Sequence, residues 1–77
     1  NPFNNSTTIS YFVPQNANQA FIYVFDLNGT QQQSYSIHNK GANEIVIQKG
    51  DLAPGMYLYS LIIDGVEIDT KRMILSR

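Results

Sequence analysis

Along most of this chain apolar residues recur at every second position. Ile9, Tyr11 and Val13 alternate with Ser10 and Phe12 until Pro14 ends the run. Ala20, Ile22 and Val24 alternate with Phe21, Tyr23 and Phe25; Tyr35 and Ile37 alternate with Ser34 and Ser36. Asn43, Ile45 and Ile47 interleave with Glu44, Val46 and Gln48, and Tyr57, Tyr59, Leu61 and Ile63 with Leu58, Ser60 and Ile62. In the last run Val66, Ile68 and Ile74 share one parity, with Met73 and Leu75 on the other. A period of two, rich in β-branched and aromatic residues, is the pattern of pleated strands. No stretch sustains a period near 3.6, so six strands and no helix are predicted.

Turn chemistry separates the runs. Asp26-Leu27-Asn28-Gly29 and Asn39-Lys40-Gly41 are polar reversals, with Asn28 and Gly29 both suited to positive φ. Ala53-Pro54-Gly55 predicts a type II turn, with Gly55 in the left-handed position. Asp64-Gly65 between two apolar runs predicts a type I′ hairpin. Six short strands at intervals of about 8–12 residues point to an all-β fold, a small antiparallel immunoglobulin-like β-sandwich of about 6–7 strands. Two runs are apolar on both parities: Phe21, Tyr23 and Phe25 oppose Ala20, Ile22 and Val24, and Leu58 and Ile62 oppose Tyr57 and Tyr59. A chain this small has little material for a third layer, so an exposed aromatic stripe is expected.

Composition narrows the chemistry. The 77 residues allow one domain, 1–77, which buries only roughly 60% of its unfolded surface. Without cysteine, neither disulfides nor thiolate metal sites can brace it. A net charge of −1, with 14% charged residues and many Asn and Gln, gives no basic face for nucleic acid. The longest apolar run, Leu61 to Ile63, is too short to span a bilayer as a helix. His38 is the only histidine, so a nucleophile would lack an obvious base, and a solvated His38 is expected. Asp64, Glu67 and Asp69 lie close in sequence, and Glu67 and Asp69 are expected to share a strand face. Two carboxylates fall short of the six to eight oxygens that calcium takes. There is no glycine-rich phosphate loop. No enzyme and no cofactor are predicted.

Three blocks in order carry a family resemblance: Asn1-Pro2-Phe3 through Tyr11, Ile22 through Asp26 to Gly29, and Leu52-Ala53-Pro54-Gly55-Met56-Tyr57-Leu58-Tyr59, continuing to Asp64-Gly65 and Thr70-Lys71-Arg72-Met73-Ile74-Leu75. Together they resemble the type A C-terminal sorting domain of the type IX secretion (Por secretion) system. Phe25 departs from the pattern, where the family often has tyrosine. The resemblance implies a non-catalytic sandwich at the end of a larger exported protein of a Gram-negative bacterium. Its partners would be the type IX translocon, an outer-membrane shuttle protein and a sortase-like cysteine peptidase that removes the domain. The cargo would travel through the periplasm and outer membrane to be secreted or held at the cell surface. The opening Asn1-Pro2-Phe3, without Met, is expected to mark a fragment of such a protein.

The residues singled out as sorting or recognition positions are Pro2, Phe3, Asp26, Gly29, Pro54, Gly55, Tyr57, Gly65, Lys71 and Arg72. Most have a plain structural reading. The glycines sit where the chain reverses, Pro2 suits a strand entry, and Tyr57 resembles a sandwich-corner tyrosine whose hydroxyl ties to upstream backbone. Lys71 and Arg72 point to opposite faces of the last strand, and with Arg77 they offer either edge protection or a positive handle for the translocon. The expected recognition surface joins the Phe21–Phe25 stripe to that strand. An unpaired terminal strand would also permit a strand-exchanged homodimer in isolation. The competing reading is a carbohydrate-binding or adhesive immunoglobulin-like module using Tyr23, Phe25 or Tyr35 as a stacking platform.

Overall fold

The computed structural model describes residues 6–48 and 50–75. They form six antiparallel strands: β1 (Ser6–Val13), β2 (Ala20–Asp26), β3 (Gln31–Ile37), β4 (Gly41–Gln48), β5 (Gly55–Ile63) and β6 (Val66–Leu75). No described residue is helical. One sheet has four strands in the order β3-β2-β5-β6, and the second is the pair β1-β4. Pairing β1 with β4 and β2 with β5, rather than only chain neighbours, is the Greek-key wiring of an immunoglobulin-type sandwich.

The core lies between the sheets and follows the predicted parity. Ile9 and Val13 of β1 and Ile47 of β4 meet Ile22 and Val24 of β2, and all five are at most 2% exposed. Leu61, Ile63, Met73 and Leu75 extend that layer across β5 and β6. Leu52 and Ala17 close its ends from the connections.

Two hairpins show how turn chemistry fixes register. At the β2–β3 end, the Gly29 amide donates to the Asp26 carbonyl at 3.0 Å and the Asp26 amide to the Thr30 carbonyl at 2.9 Å. Gly29 alone takes positive φ there, at 87°, so Asn28 does not use the tolerance expected of it. The Asp26 carboxylate accepts from the amides of Asn28 and Thr30, both at 2.9 Å, which holds the loop closed. At the β5–β6 end Asp64 and Gly65 have φ of 51° and 83°, the paired positive angles of the predicted type I′ turn.

The expected type II turn at Ala53-Pro54-Gly55 is not formed. Gly55 has φ of 152°, far from the about +80° that turn needs. It is already the first residue of β5, so the chain enters the strand extended rather than reversing tightly.

β6 brings a second correction. Its pairing with β5 shifts between Leu61 and Ile62: Asp69 sits opposite Leu61, but Glu67 sits opposite Ile62. Ile68 is therefore an extra residue, a bulge. Residues opposite one another share a face, so Asp69 turns toward the β1–β4 side and Glu67 toward the outside. The two carboxylates do not share a face.

Tyr35 lies opposite Ile22 and turns inward. Its hydroxyl is buried without a hydrogen-bond partner among the described residues. Burial, and then the nearby Asp51 carboxylate, hold the phenol above its ordinary pKa. Because the folded state resists ionising this group, its stability contribution is intact below the usual tyrosine pKa and falls as pH rises through the raised one. Tyr35→Phe should therefore be neutral to about 1 kcal/mol stabilising at pH 7, since it removes a buried polar atom that has no hydrogen-bond partner among the described residues. It should also flatten the alkaline loss of stability relative to the parent, as read by urea unfolding near pH 7 and near pH 11. A variant clearly less stable than the parent at pH 7 would show that the hydroxyl holds the fold.

Candidate functional site: the outer face of the four-stranded sheet

No enclosed active-site cavity is present among the described residues. A depression of about 230 Å³ lies between β1 and β6 and is lined by Tyr11, Phe12, Tyr59, Ile68, Asp69 and Lys71 among others. His38 is exposed and borders two shallower grooves made by the β1–β2 connection and the end of β3. No carboxylate lines either groove, so nothing there would orient His38 as a base. No three described His, Asp or Glu residues are grouped as metal ligands. The predicted chemistry-bearing residues are thus scattered, and the most organised surface is apolar.

That surface is the side of the four-stranded sheet turned away from β1 and β4. Register defines it as a grid. Phe21 has Ser36 on one side and Ile62 on the other, and Ile62 is followed by Glu67. The next row is Ser34, Tyr23, Ser60 and Thr70; the third is Phe25, Leu58 and Arg72. Met56 and Ile74 continue the apolar strip beyond Arg72, 40% and 63% exposed.

The rings form a ladder along β2. Phe21 and Tyr23 stack with centroids 5.9 Å apart and planes 20° from parallel, and Tyr23 meets Phe25 edge-on at 6.4 Å. Each ring remains half-buried. The middle row is closed by hydroxyls. Ser60, only 2% exposed, lies 2.9 Å from the Thr70 hydroxyl and donates to the Glu67 carboxylate at 3.4 Å. A buried serine is satisfied within the face, so the surface is apolar without an orphaned polar atom beneath it.

The predicted site residues distribute as follows. Arg72 lies on this face opposite Leu58, whereas Lys71 lies opposite Tyr59 on the inner parity and pairs with Asp69 at 3.7 Å. A lysine turned inward on an edge strand near a bulge is a pattern found where sheet edges resist pairing with other sheets. Asp26, Gly29 and Gly65 occupy hairpin ends. Pro54 is exposed in the connection before β5, which begins with Gly55. Tyr57 is 7% exposed, and its hydroxyl donates to the Ala53 carbonyl, the expected corner tie. Pro2, Phe3 and Arg77 lie outside the described residues.

The three aromatics named for a sugar platform are not brought together. Tyr35 faces the core while Tyr23 and Phe25 face outward, and the ring beside Tyr23 that sequence reasoning left out of the trio, Phe21, occupies one of its faces. The parity of β2 is sufficient to find Phe21. Asp64 is a structural centre that sequence reasoning missed: its carboxylate accepts from the amides of Asn18 and Gln19, both at 2.8 Å, just ahead of β2 where Ala20 pairs with Ile63. No local signal marks a contact between positions so far apart in the chain.

No curated protein and no solved structure matches the chain. The family model described as the secretion system C-terminal sorting domain matches residues 1–76. That match spans both hairpins, the Tyr57 corner and every strand of a sandwich that has no catalytic cleft among its described residues. The chain belongs to this family and is a non-catalytic sorting domain of the Por, or type IX, secretion system.

Proposed function

We propose that the domain is a folded address read on the outer face of its four-stranded sheet. The observation that supports this is the uncovered ladder of Phe21, Tyr23 and Phe25, continued by Leu58 and Ile62 and bordered by Arg72. Aromatic and arginine side chains in a clustered patch are the residue types that carry most binding energy at protein interfaces. The reader is the type IX translocon with its outer-membrane shuttle protein, and a sortase-like cysteine peptidase acts afterwards. The domain forms the C-terminal end of a larger protein of a Gram-negative bacterium. That protein crosses the periplasm and outer membrane to be secreted or displayed on the surface. Arg72 is the positive group of the handle; Lys71, committed to Asp69 on the other face, guards the edge instead.

A reporter carrying a signal peptide and this domain, expressed in a host with a type IX system, tests the reading. Replacing Phe21, Tyr23 and Phe25 together by Thr keeps strand propensity while removing the rings. Surface reporter should fall at least about tenfold, as expected when a hot-spot cluster is lost. Lys71→Ala should leave it within about twofold. A folded triple variant exported like the parent would show that the face is not what is read.

A further inference from the structure

The outer face has an internal symmetry that its own sequence does not announce. Its first row reads Phe21, Ile62, Glu67 and its third reads Phe25, Leu58, Arg72. Each is an aromatic, then an aliphatic, then a charge, on β2, β5 and β6 in that order. The charges are opposite in sign. Between them runs Tyr23, Ser60, Thr70, the neutral row.

A two-fold axis lying in the face along that middle row, across the strands, exchanges the other two rows. Two copies placed face to face about this axis bring β6 over β6 in opposite directions, and β2 over β2. Glu67 of each copy then meets Arg72 of the other, Phe21 meets Phe25, Ile62 meets Leu58, and Tyr23 meets its own equivalent. From Leu58 to Ile62 the strand rises about 14 Å, so the two ion pairs sit well apart at one rim and fix the orientation. Turning the second copy the other way, with the axis along the strands, would set both charges over the hydroxyl-bearing edge of β3, where Ser34 and Ser36 offer no opposite charge. Arg72 forms no ion pair among the described residues, so it is available for this one.

We propose that this face is a self-complementary docking surface whose occupant is a second copy of the same domain. The interface is isologous: each copy supplies the same patch, and the arrangement closes at two. Packing of two sheets face to face is the geometry of a sandwich core, with the ladders interleaved between them. Both sandwiches stay intact, unlike in strand exchange, and β6 contributes its Glu67 and Arg72 side chains rather than backbone hydrogen bonds along its edge. The inference goes beyond the sorting role and needs nothing from the translocon, so the two can fail separately.

Sedimentation equilibrium of the 77-residue chain up to about 1 mM tests it, because a patch of half-buried rings supports weak association in the micromolar to millimolar range. A monomer–dimer equilibrium is expected. Glu67→Arg alone, or Arg72→Glu alone, faces like charges across both rim contacts and should weaken dimerisation at least about tenfold. The double exchange, Glu67→Arg with Arg72→Glu, restores opposite charges and should return the constant to within about threefold of the parent. Both positions are exposed, and circular dichroism checks that the variants fold. Amide shifts in β2 and β5 should move with concentration while those of Thr8 and Ser10 on β1 stay fixed. A chain that remains monomeric, a double variant as weak as the singles, or shifts centred on β1 would each overturn the proposal.

Discussion

Ile22→Ala should cost about 2–5 kcal/mol, on the order of half of the domain's stability, and raise the unfolded fraction near 37 °C. Ile22 is 0% exposed, in the middle of β2, with Tyr35 on one side and Leu61 on the other. β2 is an interior strand of the larger sheet, so its neighbours cannot close over the cavity without distorting two ladders. A chain of this length holds only about 4–11 kcal/mol in total, and no disulfide limits the unfolded ensemble. The urea midpoint should fall steeply with little change in slope, and Ile22→Val should lose only about 1 kcal/mol.

The same variant decides between a folded and a linear address. Ile22→Ala leaves every outer-face side chain and all of β6 unaltered in sequence. If recognition needs the assembled face, export of a reporter should fall in step with the unfolded fraction, and Ile22→Val should be exported almost normally. Normal export of an unfolded Ile22→Ala domain would mean that a short stretch of sequence is read, and the face would lose its role. Comparing this with the ring-removing triple variant separates loss of the fold from loss of the surface.

How much of the fold is legible in the sequence follows from the range of each interaction. The strands and the inward parity of β2 rest on alternation within a few residues, so the Phe21–Phe25 stripe can be read from the residues alone. The Tyr57 corner is legible too, because its donor and acceptor lie four positions apart. The face of Glu67 is not. Val66-Glu67-Ile68-Asp69 alternates smoothly, and only the partner strand reveals that Ile68 is unpaired. That single extra residue separates Glu67 from Asp69 and places Glu67 on the same face as Arg72. Gly55 misleads for a related reason: Pro-Gly signals a reversal, but here Leu52, 7% exposed, and the tied Tyr57 anchor the chain on either side and draw it out straight. Strand alternation also explains why Lys71 and Arg72, adjacent in sequence, lie on opposite faces, one beside Asp69 and the other opposite Leu58 on the outer face.

Asp64 is where a long-range hydrogen-bonded contact meets a type I′ turn, and substitutions there should rank in an order that separates the two. Its φ of 51° is the only positive value among described residues other than glycine. Its carboxylate takes the amides of Asn18 and Gln19 at 2.8 Å, and its own amide donates to the Gln19 carbonyl at 2.9 Å. The β5–β6 hairpin is thereby tied to the connection that carries the chain from β1 to β2. Asp64→Asn keeps an acceptor oxygen and tolerates the left-handed backbone, so it should cost less than about 1 kcal/mol. Asp64→Gly keeps the backbone freely but loses both side-chain bonds, about 1–2 kcal/mol given that the freed amides reach water. Asp64→Ala loses the bonds and adds the left-handed penalty of about 1 kcal/mol, for about 2–3 kcal/mol in all. Urea unfolding of the three variants measures the order, and amide exchange at Asn18 and Gln19 should speed up in the Gly and Ala variants but little in Asn. If the Gly variant matches the parent, the turn alone matters and the tie to the β1–β2 connection contributes nothing. If Gly and Ala lose equally, the hydrogen bonds carry the whole effect, and the positive φ is tolerated at no cost.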